Sequence, residues 1–146
     1  MRNRLSQLPE KTALKGTGIL VTSRPEHWTN TRRQSLRCAV EGWRQAWQTQ
    51  PNLRLHVYAG IGVTLLGLWC RLLIMEWLWI AFAVGVVLFA ELMNTAIEQT
   101  VDLVVGLRPD PLARRVKDIS ASCVLVAAVL AVVIGALTFV PHLVRG

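Results

Sequence analysis

Three carboxylates and an amide recur at helical spacing in Glu91-Leu92-Met93-Asn94-Thr95-Ala96-Ile97-Glu98-Gln99-Thr100-Val101-Asp102. At about 100° per residue, Glu91, Asn94, Glu98 and Asp102 share one helix face in a stripe about 80° wide. Oxygen ligands of this kind suit a hard divalent cation, and a carboxylate among them can act as a general base. The run follows without a break from the apolar stretch Trp77 to Ala90. An Asp at a bilayer midplane costs roughly 2.5–3.5 kcal/mol on insertion scales. A chain that keeps three carboxylates where a membrane helix ends has a use for them.

The elements that must position this stripe are long and apolar. Of 146 residues, 53% are hydrophobic, and they cluster into extended segments. The pattern predicts one all-α domain whose solvent is partly lipid. The first span runs from about residue 57 to 75, with Arg71 near its far end, where it can snorkel to the interface. Glu76 marks a very short turn. The second span starts at Trp77, crosses to about residue 97 and stays helical to about Val105; Gly106 and Arg108-Pro109-Asp110-Pro111 end it. The third runs from 119 to 140, followed by Pro141. Each has about 19–22 residues, enough for a hydrocarbon core of roughly 30 Å. Trp69, Trp77 and Trp79 cluster at the first turn as an aromatic belt does. Gly60, Gly62 and Gly67 suit close helix packing.

Upstream, residues 31–50 read as an amphipathic surface helix. Leu36, Val40, Trp43 and Trp47 form an apolar stripe, and Arg33, Arg37 and Arg44 lie mostly away from it. Pro51 and Asn52 break or bend it. Residues 1–30 read as a flexible cytoplasmic extension, and 31–142 as the membrane domain.

The formal charge is +7, with the basic residues concentrated before residue 56 and in Arg108, Arg114, Arg115 and Lys117. That asymmetry is the positive-inside pattern. It places the N-terminus and the 106–118 loop in the cytoplasm, and the first turn and the C-terminus outside. The acidic stripe then faces the compartment that holds nucleotide and Mg2+. No aromatic-interleaved basic surface points to nucleic acid. Cys38, Cys70 and Cys123 show no metal spacing, and no Gly-x-x-x-x-Gly-Lys loop is present.

The run from Glu91 to Asp102 closely resembles the signature of the prokaryotic diacylglycerol kinase family, which includes bacterial undecaprenol kinases. The resemblance extends to Ala113-Arg-Arg-Val-Lys-Asp118, Ser120-Ala-Ser122, Gly42-Trp-Arg-Gln-Ala-Trp47 and Asn52-Leu-Arg-Leu-His56, and covers about residues 35–140. It implies a surface helix plus three transmembrane helices in a homotrimer with shared active sites, in the bacterial cytoplasmic (inner) membrane. The implied activity is transfer of the ATP γ-phosphate, with Mg2+, to the hydroxyl of a membrane lipid alcohol, either diacylglycerol or undecaprenol. No obligate protein partner is visible.

By position, the resemblance implies that Glu91 is the general base and that Asn94 lies beside the reacting groups. Glu98 binds the metal that bridges the ATP phosphates. Lys117 and Asp118 form a nucleotide-binding pair, and Asp102 orders the nucleotide site. One position departs: a second carboxylate ligand on the surface helix is usual in the family, and here it is Gln50. An amide oxygen can ligate Mg2+ but brings no charge. Asn52-x-Arg54-x-His56 is closer to the undecaprenol kinase branch. The competing readings are a non-catalytic pore or assembly factor, whose acidic stripe lines an ion path, and a degenerate kinase that only binds ATP.

Overall fold

The structure, a computed structural model, describes residues 32–106 and 108–145. The extension expected over residues 1–30 lies outside them. Four helices follow in order: α1 (Arg32–Thr49), α2 (Pro51–Cys70), α3 (Ile74–Val105) and α4 (Pro111–Arg145). Helices α2, α3 and α4 are long and apolar enough to cross a membrane. α3 is central: α4 packs along it extensively and α2 packs against it over a smaller area.

Local chemistry explains each break. The Gln50 N–H donates to Ala46 O at 2.8 Å and closes α1. Gln50 itself is extended (φ −109°, ψ 103°), as a residue before proline prefers, and Pro51 opens α2 where a missing N–H costs nothing. At the other end of α2, Arg71 adopts the left-handed conformation (φ 54°, ψ 49°). The N–H groups of Arg71 and Leu72 return to Leu68 O and Gly67 O at 3.3 and 3.2 Å, closing the helix.

This corrects two expectations. The first span ends at Cys70, not near Met75, and the turn is centred on Arg71 to Leu73, not on Glu76. Apolar content runs through the turn, so hydropathy does not register a reversal that the backbone makes. Glu76 instead belongs to the first turn of α3, where its Oε2 accepts the Leu73 N–H at 2.7 Å. Its Oε1 lies 2.9 Å from His142 Nε2 on α4. That tie also accounts for a third difference: α4 continues through Pro141 to Arg145 instead of ending before the proline. One lost backbone bond is tolerable in a final turn that is anchored by its next residue.

Between α3 and α4, Gly106 takes φ 63° and donates its N–H to Asp102 O at 2.9 Å. The Asp110 carboxylate then accepts the N–H groups of Leu112 and Ala113 at 2.7 and 3.0 Å, capping α4.

In lipid, helices associate through close fit and not through expulsion of water. The closest fit is at the first turn. Trp77 lies over Gly67, and a Cβ built there would come 2.8 Å from the indole. Leu72, Ile80 and Phe139 form the buried cluster beneath it. Gly60 abuts Val84 similarly, whereas Gly62 faces open space. Of the three tryptophans at this end, Trp69 and Trp79 are exposed, and Trp77 turns inward.

Candidate active site

The buried face of α3 begins with Ile80, Ala83 and Val87 and continues, on the same helical period, with Glu91 and Asn94. The seam that packs the helices therefore changes from aliphatic to polar without changing direction. Glu91 is 2% exposed and Asn94 7%. Glu98 is half-buried and Asp102 exposed, so the stripe climbs from the bundle interior to its surface.

The polar groups of this stripe are joined across the α3–α4 contact. Asn94 Nδ2 donates to Glu98 Oε1 at 3.1 Å, and Ser120 Oγ on α4 donates to Asn94 Oδ1 at 2.5 Å. Ser120 is itself buried. One helical turn earlier on α4, Lys117 Nζ pairs with Asp102 Oδ1 at 2.5 Å. Glu91, by contrast, receives no side-chain hydrogen bond among the described residues, and only its backbone carbonyl is engaged, by Thr95 Oγ1 at 2.9 Å. His56 on α2 lies within electrostatic reach of Glu91.

Five of the residues singled out in the sequence thus fall along one connected strip: Glu91, Asn94, Glu98, Asp102 and Lys117. Asp118 points elsewhere, toward Arg114 on its own helix at 3.9 Å, in an exposed pair. Both residues nevertheless line, with Asp102, Lys117, Arg108 and Asp110, a cavity of about 360 Å³ at the α3–α4 connection. Gln50 stands at the start of α2, half-buried, with its side chain not used as a cap. Ser120 is the residue that sequence reasoning left without a role. It stood only as a small residue in a matched segment, and its hydrogen bond crosses between helices at no fixed sequence interval.

A second cavity, about 340 Å³, separates α1 from α3 beside this strip. Small and apolar side chains line it, including Ala39, Gly42, Trp43 and Ala46 from α1 and Leu92 and Ala96 from α3.

The donor set fits a hard cation in part. Glu98 Oε1 is occupied by Asn94, and no described residue donates to Oε2. Mg2+ commonly takes one or two carboxylates and completes its shell with water and phosphate oxygens. No group of three His, Cys, Asp or Glu residues comes together to hold a metal among the described residues. A metal at Glu98 would therefore need ligands from outside this set.

Comparison with known proteins identifies the assembly. The sequence pattern described as prokaryotic diacylglycerol kinase matches residues 37–139. An undecaprenol kinase of Bacillus subtilis is 39% identical over 107 residues, which cover 71% of this chain and 86% of the relative. A diacylglycerol kinase of Synechocystis sp. is 37% identical over 109 residues, or 75% of this chain and 62% of that relative's length. With a match that takes in most of α1, all of α2 and α3, most of α4 and the whole polar strip, this chain belongs to the prokaryotic diacylglycerol kinase family.

Proposed function

We propose that this lipid kinase transfers the γ-phosphate of ATP to the hydroxyl of a membrane lipid, diacylglycerol or undecaprenol, at the cytoplasmic face of the bacterial inner membrane. The observation that carries the reading is the polar strip itself. A buried glutamate, Glu91, lies one helical turn from Asn94 and two from Glu98, and the strip opens onto a charged cavity.

Phosphoryl transfer depends on positioning and charge neutralisation more than on covalent chemistry. Glu91 accepts the proton of the acceptor hydroxyl. Asn94, fixed between Ser120 and Glu98, orients the groups beside it. Glu98 holds the divalent cation through its free oxygen, with Gln50 as a neutral ligand. Mg2+ held there would neutralise charge on the phosphates. Lys117 neutralises further phosphate charge, and Asp102 and Asp118 order the nucleotide in the cavity they line.

The lipid reaches Glu91 sideways from the bilayer, through the apolar groove between α1 and α3. α1 lies at the membrane interface, and the N-terminus is cytoplasmic, as the positive charge before residue 56 favours. The active assembly is a homotrimer with shared sites. This reading rests on the family; only 11% of the apolar window of α4 is buried within one chain, which leaves that helix for lipid or a second copy to cover.

The test is transfer of labelled γ-phosphate in detergent–lipid micelles, with diacylglycerol and undecaprenol offered together. Label in one lipid, lost in Glu91→Gln, is the expected result and names the acceptor. Turnover unaltered by Glu91→Gln would remove the general base.

A further inference from the structure

Around α1, three sectors follow one another. Ala39, Gly42 and Ala46 line the groove toward α3, and Ala46 is buried. Beside them the helical period sets Trp43, Trp47 and Val40. Val40 is 68% exposed and Trp43 40%, so much of this apolar stripe is left open among the described residues. Trp47 meets Tyr58 of α2 edge-on, ring centroids 6.0 Å apart. Beyond the stripe, within about 40° of one another, come Arg44 and Arg37. Both Arg37 and Arg44 are exposed, and no ion pair among the described residues engages either. Gln45, Gln48 and Glu41 occupy the rest of the circumference.

A general excess of cytoplasmic charge accounts for arginines on this side of the membrane. It does not account for their alignment in one narrow strip that borders an uncovered apolar stripe. A helix lying at the headgroup level needs that order: apolar side chains among the acyl chains, guanidinium groups at the phosphates, amides and carboxylates in water. Guanidinium matches phosphate oxygens in a bidentate way that ammonium does not.

We propose that the arginine strip of α1 binds the phosphate headgroups of anionic phospholipids, which seats the Val40–Trp43 stripe in the bilayer and holds α1 beside the groove. The occupant is bulk anionic lipid and not the phosphate acceptor, because an acceptor alcohol carries no charge for two arginines to meet.

The experiment uses the full chain with Cys38, Cys70 and Cys123 changed to Ser and a spin label on Val40→Cys. Label depth is read in bilayer discs of phosphatidylcholine alone and with added phosphatidylglycerol. Depth increases with the phosphatidylglycerol fraction, and high salt reverses the change. Each arginine changed to Gln weakens the anionic-lipid response about fivefold, the equivalent of about 1 kcal/mol per basic residue near an anionic surface. Arg37→Lys and Arg44→Lys together keep most of it. Equal depth in both lipids, or a response untouched by salt, overturns the proposal; the salt titration needs no arginine variant to fold. A depth change produced by an acidic polypeptide but not by phosphatidylglycerol overturns it in favour of a protein partner. None of these outcomes bears on phosphate transfer, so failure here is distinct from failure of the lipid kinase reading.

Discussion

Ser120 on α4 and Asn94 on α3 are joined by a buried hydrogen bond of 2.5 Å, and this bond sets the orientation of the Asn94 amide. An ionised Glu98 only accepts, so the Asn94 NH2 must face it, and Asn94 Oδ1 must face Ser120. The Ser120 proton is therefore committed to Asn94, although Lys117 O lies 2.9 Å away as a second acceptor. Ser120→Ala leaves a buried amide oxygen without a donor, at a cost of about 1–3 kcal/mol. It also frees the amide to rotate and withdraw its NH2 from Glu98. The expected result is a lower Tm together with a higher Mg2+ requirement for turnover. A lower Tm with an unchanged Mg2+ requirement would leave Ser120 as packing alone.

On the proposed reading, Asp102 and Lys117 form a functional pair and not a structural one. Their side chains are 58% and 34% exposed, and pairs of that exposure contribute about 0–1 kcal/mol. Asp102→Asn should therefore leave thermal stability nearly unchanged. It releases the Lys117 ammonium from its place at the mouth of the cavity, so the KM for ATP should rise while kcat falls less. Lys117→Met should raise the same KM further. An Asp102→Asn enzyme with unaltered kinetics would mean that the pair orders nothing for the nucleotide.

The fold was legible wherever it depends on composition and period. Four helices and three long apolar segments follow from hydropathy, and the stripe from Glu91 to Asp102 follows from a spacing of three and four. The chain reversal was not legible, because it rests on the left-handed Arg71, a conformation that arginine rarely adopts and that leaves no trace in an apolar run. The persistence of α4 past Pro141 depends on the contact between His142 and Glu76, residues far apart in sequence. The same limit hid Ser120. Residues on one helix face announce themselves by period, whereas partners on a second helix are fixed only once the two helices are packed.

By the resemblance, Gln50 stands where an acidic residue is usual in the family. Its amide is not consumed by capping α2, which leaves it available as a neutral ligand. Gln50→Glu should then lower the Mg2+ concentration needed for half-maximal turnover, because a carboxylate adds charge to the metal shell. Glu98→Gln should raise that concentration or abolish activity, and Gln50→Glu should not restore it. Metal dependence unchanged by both substitutions would take the divalent cation away from this end of α3 altogether.

Gly67 tests whether the far end of the bundle is built as described. A methyl group there would lie 2.8 Å from the Trp77 ring and 3.1 Å from Leu72, closer than side chains tolerate. The indole cannot yield cheaply, because Trp77 sits beside the turn held by Arg71 and packs on the Leu72–Ile80–Phe139 cluster. Gly67→Ala should cost about 1–3 kcal/mol as an overpacking change. Gly62→Ala, with nothing within 4 Å of the added atom, should be neutral or slightly stabilising in the isolated chain, as alanine favours a helix. Thermal unfolding in one detergent, with both variants beside the parent, makes the comparison. Equal losses for the two would mean that Gly62 also meets a neighbour, which in a homotrimer is a second copy. No loss for Gly67→Ala would contradict the packing of Trp77.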